Sequence, residues 1–409
     1  MSSTPGRNIT VEIGPDSATT TVGTAYFNTR RGRVTTNFTY SADWFAAADG
    51  AWSISPDIPA RDRSAFADGL PGALADSTPD RWGRNLISRS RNAQARVAGH
   101  ALPELTDVDY LLGVSDLTRQ GALRYRTSHS SDFRAQEGGV PKLIALPQLL
   151  AASDSVGNGD SHDNMSAVTA LLEAGSGSLG GARPKASIMD DGKLYIAKFP
   201  HHADEWDVMA WEATTLELAQ MCGINVPSHR RVKVGEHTVL LVKRFDRVGE
   251  IRVPYVSGMT LLEGTDGEEH DYTDLAEALM NFGSNVISDL HKLWRRIAFS
   301  IAVHNTDDHM RNHGFLWDRG GWTLSPQFDV NPNPARAIRR STTINFENDP
   351  NRELEALMSS ADIFRLTSAQ ANSIWSEVMN GVAQWRHVAR RNAIPESETR
   401  YFVDAFWSR

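Results

Sequence analysis

The sequence predicts an α+β protein with a β-rich N-terminal part and a helical C-terminal part. Three observations carry this. Residues 8–40 alternate apolar and polar positions in ITVEI, TTTVGTAYF and RVTTNFTY, the period of strands with one buried face. Val286, Ile287, Leu290, Leu293, Trp294, Ile297, Ala298 and Ile301 recur at helical spacing, as do Ile374, Trp375, Val378 and Met379, continued by Trp385, Val388 and Ala389. Between these two helical stretches lies a loop dense in Asn, Asp and His, NTDDHMRNHG, followed by the β-like runs GFLW and WTL.

A length of 409 residues suits two or three domains with ample core, and 22% charged residues is ordinary for a globular chain. The net charge of -8 leaves no overall basic footprint for direct contact with nucleic acid, so any contact with DNA is expected to be local or borrowed from a partner. The single cysteine, Cys222 in ELAQMCGI, excludes an internal disulfide and suits a reducing compartment. MSSTPGRNITVEIG lacks the apolar core of a signal peptide, and no run approaches 18 apolar residues. The expectation is a soluble, cytoplasmic protein with no membrane contact.

In the first segment, 1–127, the Arg30-Arg31-Gly32 turn joins two strands of an antiparallel sheet. A helix capped by Asp76 or Ser77, with Pro79 near its start, is expected to run to about Ala95 and to expose Arg81, Arg84, Arg89 and Arg91. A second helix covers 106–113, and ALRYR follows as a strand. With no catalytic constellation, this part is assigned to recognition. Residues 128–165, rich in Ser, Gly and Asp around one apolar stretch, LIALPQLLAA, read as a connector.

Residues 166–265 carry a glycine-rich run, with Gly175, Gly177, Gly180 and Gly181 around Ser178 and then Lys185. Glycines let backbone N–H groups approach phosphate oxygens that side chains would block, and a lysine on the next strand adds a point charge. Lys198, ending YIAKF, fits that lysine. The run is not a P-loop, since no G-x-x-x-x-G-K-[ST] match exists. A helix over 205–222 places Glu212 one element later, where a glutamate would pair with Lys198. Two strands follow, and Leu240 to Lys243, including Leu241 and Val242, would form a hinge whose backbone binds adenine.

The last part, 266–409, holds the chemistry. Asp307 precedes Asn312 by five positions, and Asp329 follows after a hairpin turned by Asp318-Arg319-Gly320-Gly321. Phosphoryl transfer needs a carboxylate to orient the attacking hydroxyl and take its proton, and oxygen donors to hold Mg2+ on the nucleotide phosphates. Asp307 fits the base, and Asn312 and Asp329 fit the metal ligands, with Asp308 and His309 as further candidates in the same loop. Beyond Asp329, Arg336, Arg339 and Arg340 offer substrate or phosphate contacts. The order of glycine loop, lysine strand, glutamate helix, hinge, base loop and metal-binding aspartate is that of a kinase-type phosphotransferase. The competing chemistry is a metal-dependent phosphohydrolase built on His304, Asp307, Asp308, His309 and His313, which leaves the glycine loop unused.

SLGGARPKA, YIAKFP, LLVKRFDR, NTDDHMRNHGFL and LSPQFDV, with LPGALADSTPDRWGR upstream, resemble the HipA family of serine/threonine kinases, the toxins of toxin–antitoxin pairs. The resemblance extends over nearly the whole chain. It implies a β-rich N-terminal subdomain before a two-lobed protein-kinase-like fold with a helical C-terminal lobe. It implies ATP and Mg2+ as cofactors, Asp307 as base, Asn312 and Asp329 on the metal, and Lys198 on ATP phosphate. Gly177, Ser178, Gly180, Gly181, Lys185, Leu241, Val242, Lys243 and His309 join the nucleotide-binding set. Ser178 becomes an autophosphorylation site that switches the kinase off, since a doubly charged group cannot stay beside ATP phosphates. The implied partners are a small helix-turn-helix, HipB-like antitoxin that binds operator DNA and a protein substrate in translation, such as an aminoacyl-tRNA synthetase. A catalytically weak, pseudokinase-like corepressor acting through its antitoxin is the alternative from another class.

Overall fold

The computed structural model describes residues 7–47, 51–127, 133, 139–157, 165–176 and 183–407. Gly177, Ser178, Gly180 and Gly181 lie outside the described residues. The chain clusters into two compact units, Met1–Ala203 with Leu241–Val256, and Asp204–Leu240 with Ser257–Arg409.

The first unit opens with a five-stranded antiparallel sheet of β1 (Arg7–Ile13), β2 (Thr20–Arg30), β3 (Arg33–Tyr40), β4 (Ser64–Asp68) and β5 (Arg124–Thr127), in the order β4-β3-β2-β1-β5. The alternation read from the sequence sets its faces. Ile9, Val11, Val22, Ala25, Phe27, Val34, Phe38 and Tyr40 are all buried. Arg31 and Gly32, at φ 52° and 75°, form the two-residue turn whose twist matches the flanking strands.

Helix α1 (Arg81–Val97) starts later than the sequence suggests. Its cap is Asp80, whose side chain accepts from the Gly83 N–H at 2.9 Å, not Asp76 or Ser77. The physical reason is Pro79, whose ring disfavours helical backbone at the residue before it. Ser77 instead turns inward, its hydroxyl 2.5 Å from that of the buried Tyr125.

Two buried carboxylates then fasten residues 244–252 to residues 116–124. Asp246 accepts from Arg244 Nε at 2.8 Å, from Arg247 at 2.9 Å and from the Gly121 N–H at 2.8 Å. Asp116 accepts from Arg124 at 2.6 Å and Arg252 at 2.7 Å. Burial would push the Asp246 carboxyl up, but the charges of Arg244 and Arg247, with hydrogen bonds from Arg244 and Gly121, hold it well below the usual carboxylate range. Strands β6 (Lys185–Asp190) and β7 (Lys193–Lys198) form an antiparallel hairpin in the same unit, pairing Lys185 with Lys198 across the ladder.

The second unit is built on helices. Helix α2 (Val208–Met221) is buried along nearly its whole length and packs on helices Ser368–Val382 and Trp385–Arg391. Trp211 stacks on Phe402 at 4.0 Å, and its indole N–H donates to Glu398 at 2.7 Å. The sequence groups this helix, with Glu212, among residues 166–265; here it clusters with the C-terminal helices. Helices α3 (Tyr272–Phe282) and α4 (Val286–Ala302) pack together, and α4 leads into the polar loop. The hairpin of β8 (Gly314–Asp318) and β9 (Gly321–Leu324) is fastened to α4 by the buried Asp289, which accepts from the Thr323 hydroxyl at 2.5 Å and the Leu324 N–H at 3.1 Å. Among the described residues no helix is long and apolar enough to cross a membrane.

The Asp246 cluster makes a stability prediction. Removing its charge leaves two buried guanidinium groups short of a counter-ion, so Asp246→Asn is expected to cost about 3–5 kcal/mol in equilibrium denaturation at neutral pH. Because the folded carboxyl titrates below its unfolded value of about 4, this contribution is full above that pH and fades below it. Wild-type stability should therefore fall more steeply than that of the variant as denaturation is repeated at successively lower pH.

Candidate active site

The polar loop begins where α4 runs out. His304, at φ 50°, turns the chain and sets its Nε2 3.1 Å from the Ala335 carbonyl. The next residues separate two adjacent carboxylates. Asp308 is 3% exposed and Asp307 is exposed.

Asp308 is the hub of a buried network. Its Oδ2 accepts from the Tyr272 hydroxyl at 2.5 Å and from Ser300 at 3.1 Å, and its Oδ1 lies 3.2 Å from His313 Nε2. Arg340 extends the network, donating to Ser300 Oγ at 3.2 Å and to Glu353 at 2.6 and 3.1 Å. Burial would raise the Asp308 carboxyl; the His313 charge, hydrogen bonds from His313 and Tyr272, and the Arg340 charge hold it well below the carboxylate range. Burial and the Asp308 charge raise the Tyr272 phenol far above its ordinary value, so it stays a donor.

Asp307 is treated in the opposite way. Partial loss of solvent raises its carboxyl, His309 opposes this, and the negative charges of Asp329 and Asp308 add to it. Asn312 is buried in the turn Met310–Asn312, and its side-chain N–H donates to the Asp307 carbonyl at 2.9 Å, which leaves its amide oxygen to ligate a cation. Asp329 sits at φ 57°, in the left-handed region that aspartate tolerates better than most residues other than glycine. Next to it, the Val330 carbonyl accepts from Thr215 of α2, and the Asn331 N–H donates to Asn305 at 3.3 Å.

These residues fit a divalent cation. Asp329 raises Asp307 by its charge, so negative charge converges here, and Asn312 and Asp329 are hard oxygen donors. Two protein donors suit Mg2+, which keeps waters and phosphate oxygens as its other ligands. The five residues of the phosphohydrolase alternative do not fit. His304 and His313 are turned to other partners, and among the described residues no group of three His, Cys, Asp or Glu side chains is placed to hold a metal.

The other sequence-predicted residues are placed as follows. Lys185 is 3% exposed, with its ammonium 3.0 Å from Asp80, the cap of α1. Burial raises the Asp80 carboxyl and the Lys185 charge opposes it, so the ammonium serves Asp80 as counter-ion inside the first unit. Lys198 ends β7 half-buried, Leu241 and Val242 are buried, and Lys243 is half-buried, all in the first unit. Glu212 is 2% exposed within α2, and His309 is half-buried with its Nδ1 enclosed. Arg340 is buried against Glu353, so it is no surface contact for substrate; Arg336 and Arg339 are exposed. The sequence reading missed Tyr272, Ser300 and Glu353. Ser300 alone left a signal, as a polar residue inside the apolar run IAFSIAV.

Two family models match the chain. The HipA-like C-terminal domain matches residues 177–386, just over half the chain, and the HipA N-terminal domain matches residues 18–106. The chain belongs to the HipA family. Among solved structures this HipA-family chain is similar to one from the Shewanella oneidensis MR-1 toxin–antitoxin complex of HipA, HipB and its operator DNA. The two are 16% identical over 97% of this chain and 95% of that one, with a TM-score of 0.67, and they share the fold. Weaker likenesses are the Helicobacter pylori proinflammatory kinase CtkA (15% identity, 53% of this chain and 93% of that one, TM-score 0.36) and choline kinase LicA from Streptococcus pneumoniae (13%, 56% and 90%, TM-score 0.21). No curated protein matches. The HipA fold is the expected one: mixed helix and sheet, β-rich at its N-terminus.

The unlike settings of the two carboxylates predict unlike effects on folding. Asp308→Ala strands the buried donors of Tyr272 and Ser300 and removes the counter-charge beside His313 and Arg340, so it should cost about 3–5 kcal/mol in equilibrium denaturation. Asp307→Asn should cost nothing, because folding already disfavours the Asp307 charge.

Proposed function

We propose that this HipA-family chain is an ATP- and Mg2+-dependent serine/threonine protein kinase, the toxin of a toxin–antitoxin pair. The observation that carries the reading is the division of labour between Asp307 and Asp308. One carboxylate is spent inside the fold; the other stands exposed, close enough to Asp329 to feel its charge, on a loop fixed by Asn312.

In this reading Asp307 orients the substrate hydroxyl and takes its proton, and its raised carboxyl suits a group that must accept one. The amide oxygen of Asn312 and the carboxylate of Asp329 hold the cation, which when bound neutralises charge on the transferred phosphoryl group. Lys198, Leu241 to Lys243, His309 and the run containing Gly177, Ser178, Gly180 and Gly181 serve the nucleotide by their positions in the sequence, Glu212 supports Lys198, and Ser178 is the site of self-phosphorylation. The Shewanella complex holds HipB and operator DNA. By that likeness we assign this chain a HipB-like antitoxin as partner, with DNA reached only through it; the resemblance to the family, not that structure, suggests a component of translation as protein substrate.

Incubation of the full chain with labelled ATP and Mg2+ tests this. Asp307→Asn should lower transfer on the order of 10²- to 10⁴-fold, the usual contribution of a positioned base, and chelation of the metal should abolish it. Ser178→Ala should remove the label from the chain itself; mass spectrometry finding the phosphate elsewhere would reject that site. No transfer by a folded wild-type chain would favour the corepressor alternative.

A further inference from the structure

A second constraint lies just beyond the loop. Residues Ile344 to Glu347 form a tight turn closed in both directions, with the Ile344 N–H donating to the Glu347 carbonyl at 2.8 Å and the reverse bond at 3.0 Å. Its central residues, Asn345 and Phe346, are both left-handed, at φ 49° and 65°. That is the type I′ geometry, whose favoured sequence is Asn-Gly. Here the glycine position holds a phenylalanine. A bulky side chain there strains the backbone, and this one is also 83% exposed, so its ring gains nothing from burial.

The surroundings force this conformation. The buried Asp271, which caps α3, accepts from the Phe346 N–H at 2.7 Å, the Asn345 N–H at 3.2 Å and the Thr343 hydroxyl at 2.6 Å, besides its capping bond from the Thr273 N–H at 2.8 Å. His270 and Asp271 pair in parallel with Thr342 and Thr343. The buried Ile344 anchors the turn from within. The base of the same segment is fastened to the loop that carries Asp307. The Ser341 N–H donates to the Thr306 carbonyl at 2.9 Å, and the Thr342 hydroxyl to the Asp308 carbonyl at 2.7 Å. Thr342 and Phe346 are four positions apart, so their Cα atoms lie within about 14 Å of each other, the span of four residues of extended peptide.

A strained backbone held by several bonds, presenting an apolar ring to solvent at fixed register from the base, is what a recognition element requires. We propose that Phe346 is a specificity-determining residue that receives an apolar side chain of the protein substrate, a few residues from the hydroxyl delivered to Asp307. The inference rests on the kinase reading above.

The test uses the full chain, Mg-ATP and a library of Ser-centred nonapeptides in which each flanking position in turn is fixed as Leu or as Asp. Wild type should prefer Leu to Asp by about ten-fold in kcat/KM at one position, and Phe346→Gly should lose that preference through a higher KM for the Leu peptide. Glycine is at ease at φ 65°, so the thermal midpoint of Phe346→Gly should match or exceed that of wild type. A preserved preference in the variant, or no apolar preference in a wild type that consumes ATP, overturns the inference and leaves the kinase reading standing. A midpoint lowered by more than a few degrees would show that Phe346 serves the fold and also overturns it. A wild type that neither consumes ATP nor labels any peptide sinks both.

Discussion

The polar loop that carries Asp307 depends on the buried charge of its neighbour, Asp308. Asp308 is withdrawn from water among Tyr272, Ser300 and His313, each from a different stretch of the second unit, and Arg340 reaches the same cluster through Ser300. Leaving any of these donors without an acceptor would cost more than the network gains from its bonds, so the loop has one arrangement available to it. That arrangement turns the neighbouring residue outward. The position of Asp307 follows from the burial of Asp308, and so does the strain at His304, which ends α4 and lets the chain enter the cluster.

Much of this fold was legible because its signals are periodic. The alternation in residues 8–40 placed the sheet and its buried face, and the spacing from Val286 to Ile301 placed α4. The hairpin showed through the turn Asp318-Arg319-Gly320-Gly321, whose Gly320 suits the positive φ of 83° found there, with Arg319 beside it at 50°. Periodicity reports which face of an element is buried; it carries nothing about partners far away in sequence. Lys185 follows a glycine-rich run and so suggested phosphate, whereas its ion-pair partner Asp80 lies 105 positions upstream. Asp76, Ser77 and Asp80 are all competent caps by residue type, and only Pro79 separates them.

The candidate site was legible in its spacing and not in its orientation. Asp307, Asn312 and Asp329 are related by intervals that a sequence displays. Asp307 and Asp308 are adjacent and identical, and no local pattern says which one the fold consumes. The deciding groups, Tyr272 and Arg340, flank the loop at distances of about thirty residues in each direction, and neither looks unusual where it stands. Glu212 is a similar case: a glutamate on a helix is ordinarily solvated, and this one is buried because α2 is enclosed along nearly its whole length.

Asp271 and Asp308 divide one task between them. Each gathers donors from chain regions that share no local structure, and residues 341–346 contact both, through the Thr342 hydroxyl on the Asp308 carbonyl and through the Thr343 hydroxyl and two backbone N–H groups on the Asp271 carboxylate. The segment after Asp329 is therefore not a loose connection between the site and α5 (Glu353–Ser359). It is indexed at one end to the loop that carries Asp307 and at the other to the cap of α3. On the proposal that Phe346 receives the substrate, hydrogen bonds already made in the folded chain would set that substrate in register with Asp307. That pre-payment lowers the entropy lost when the acceptor hydroxyl is brought into line.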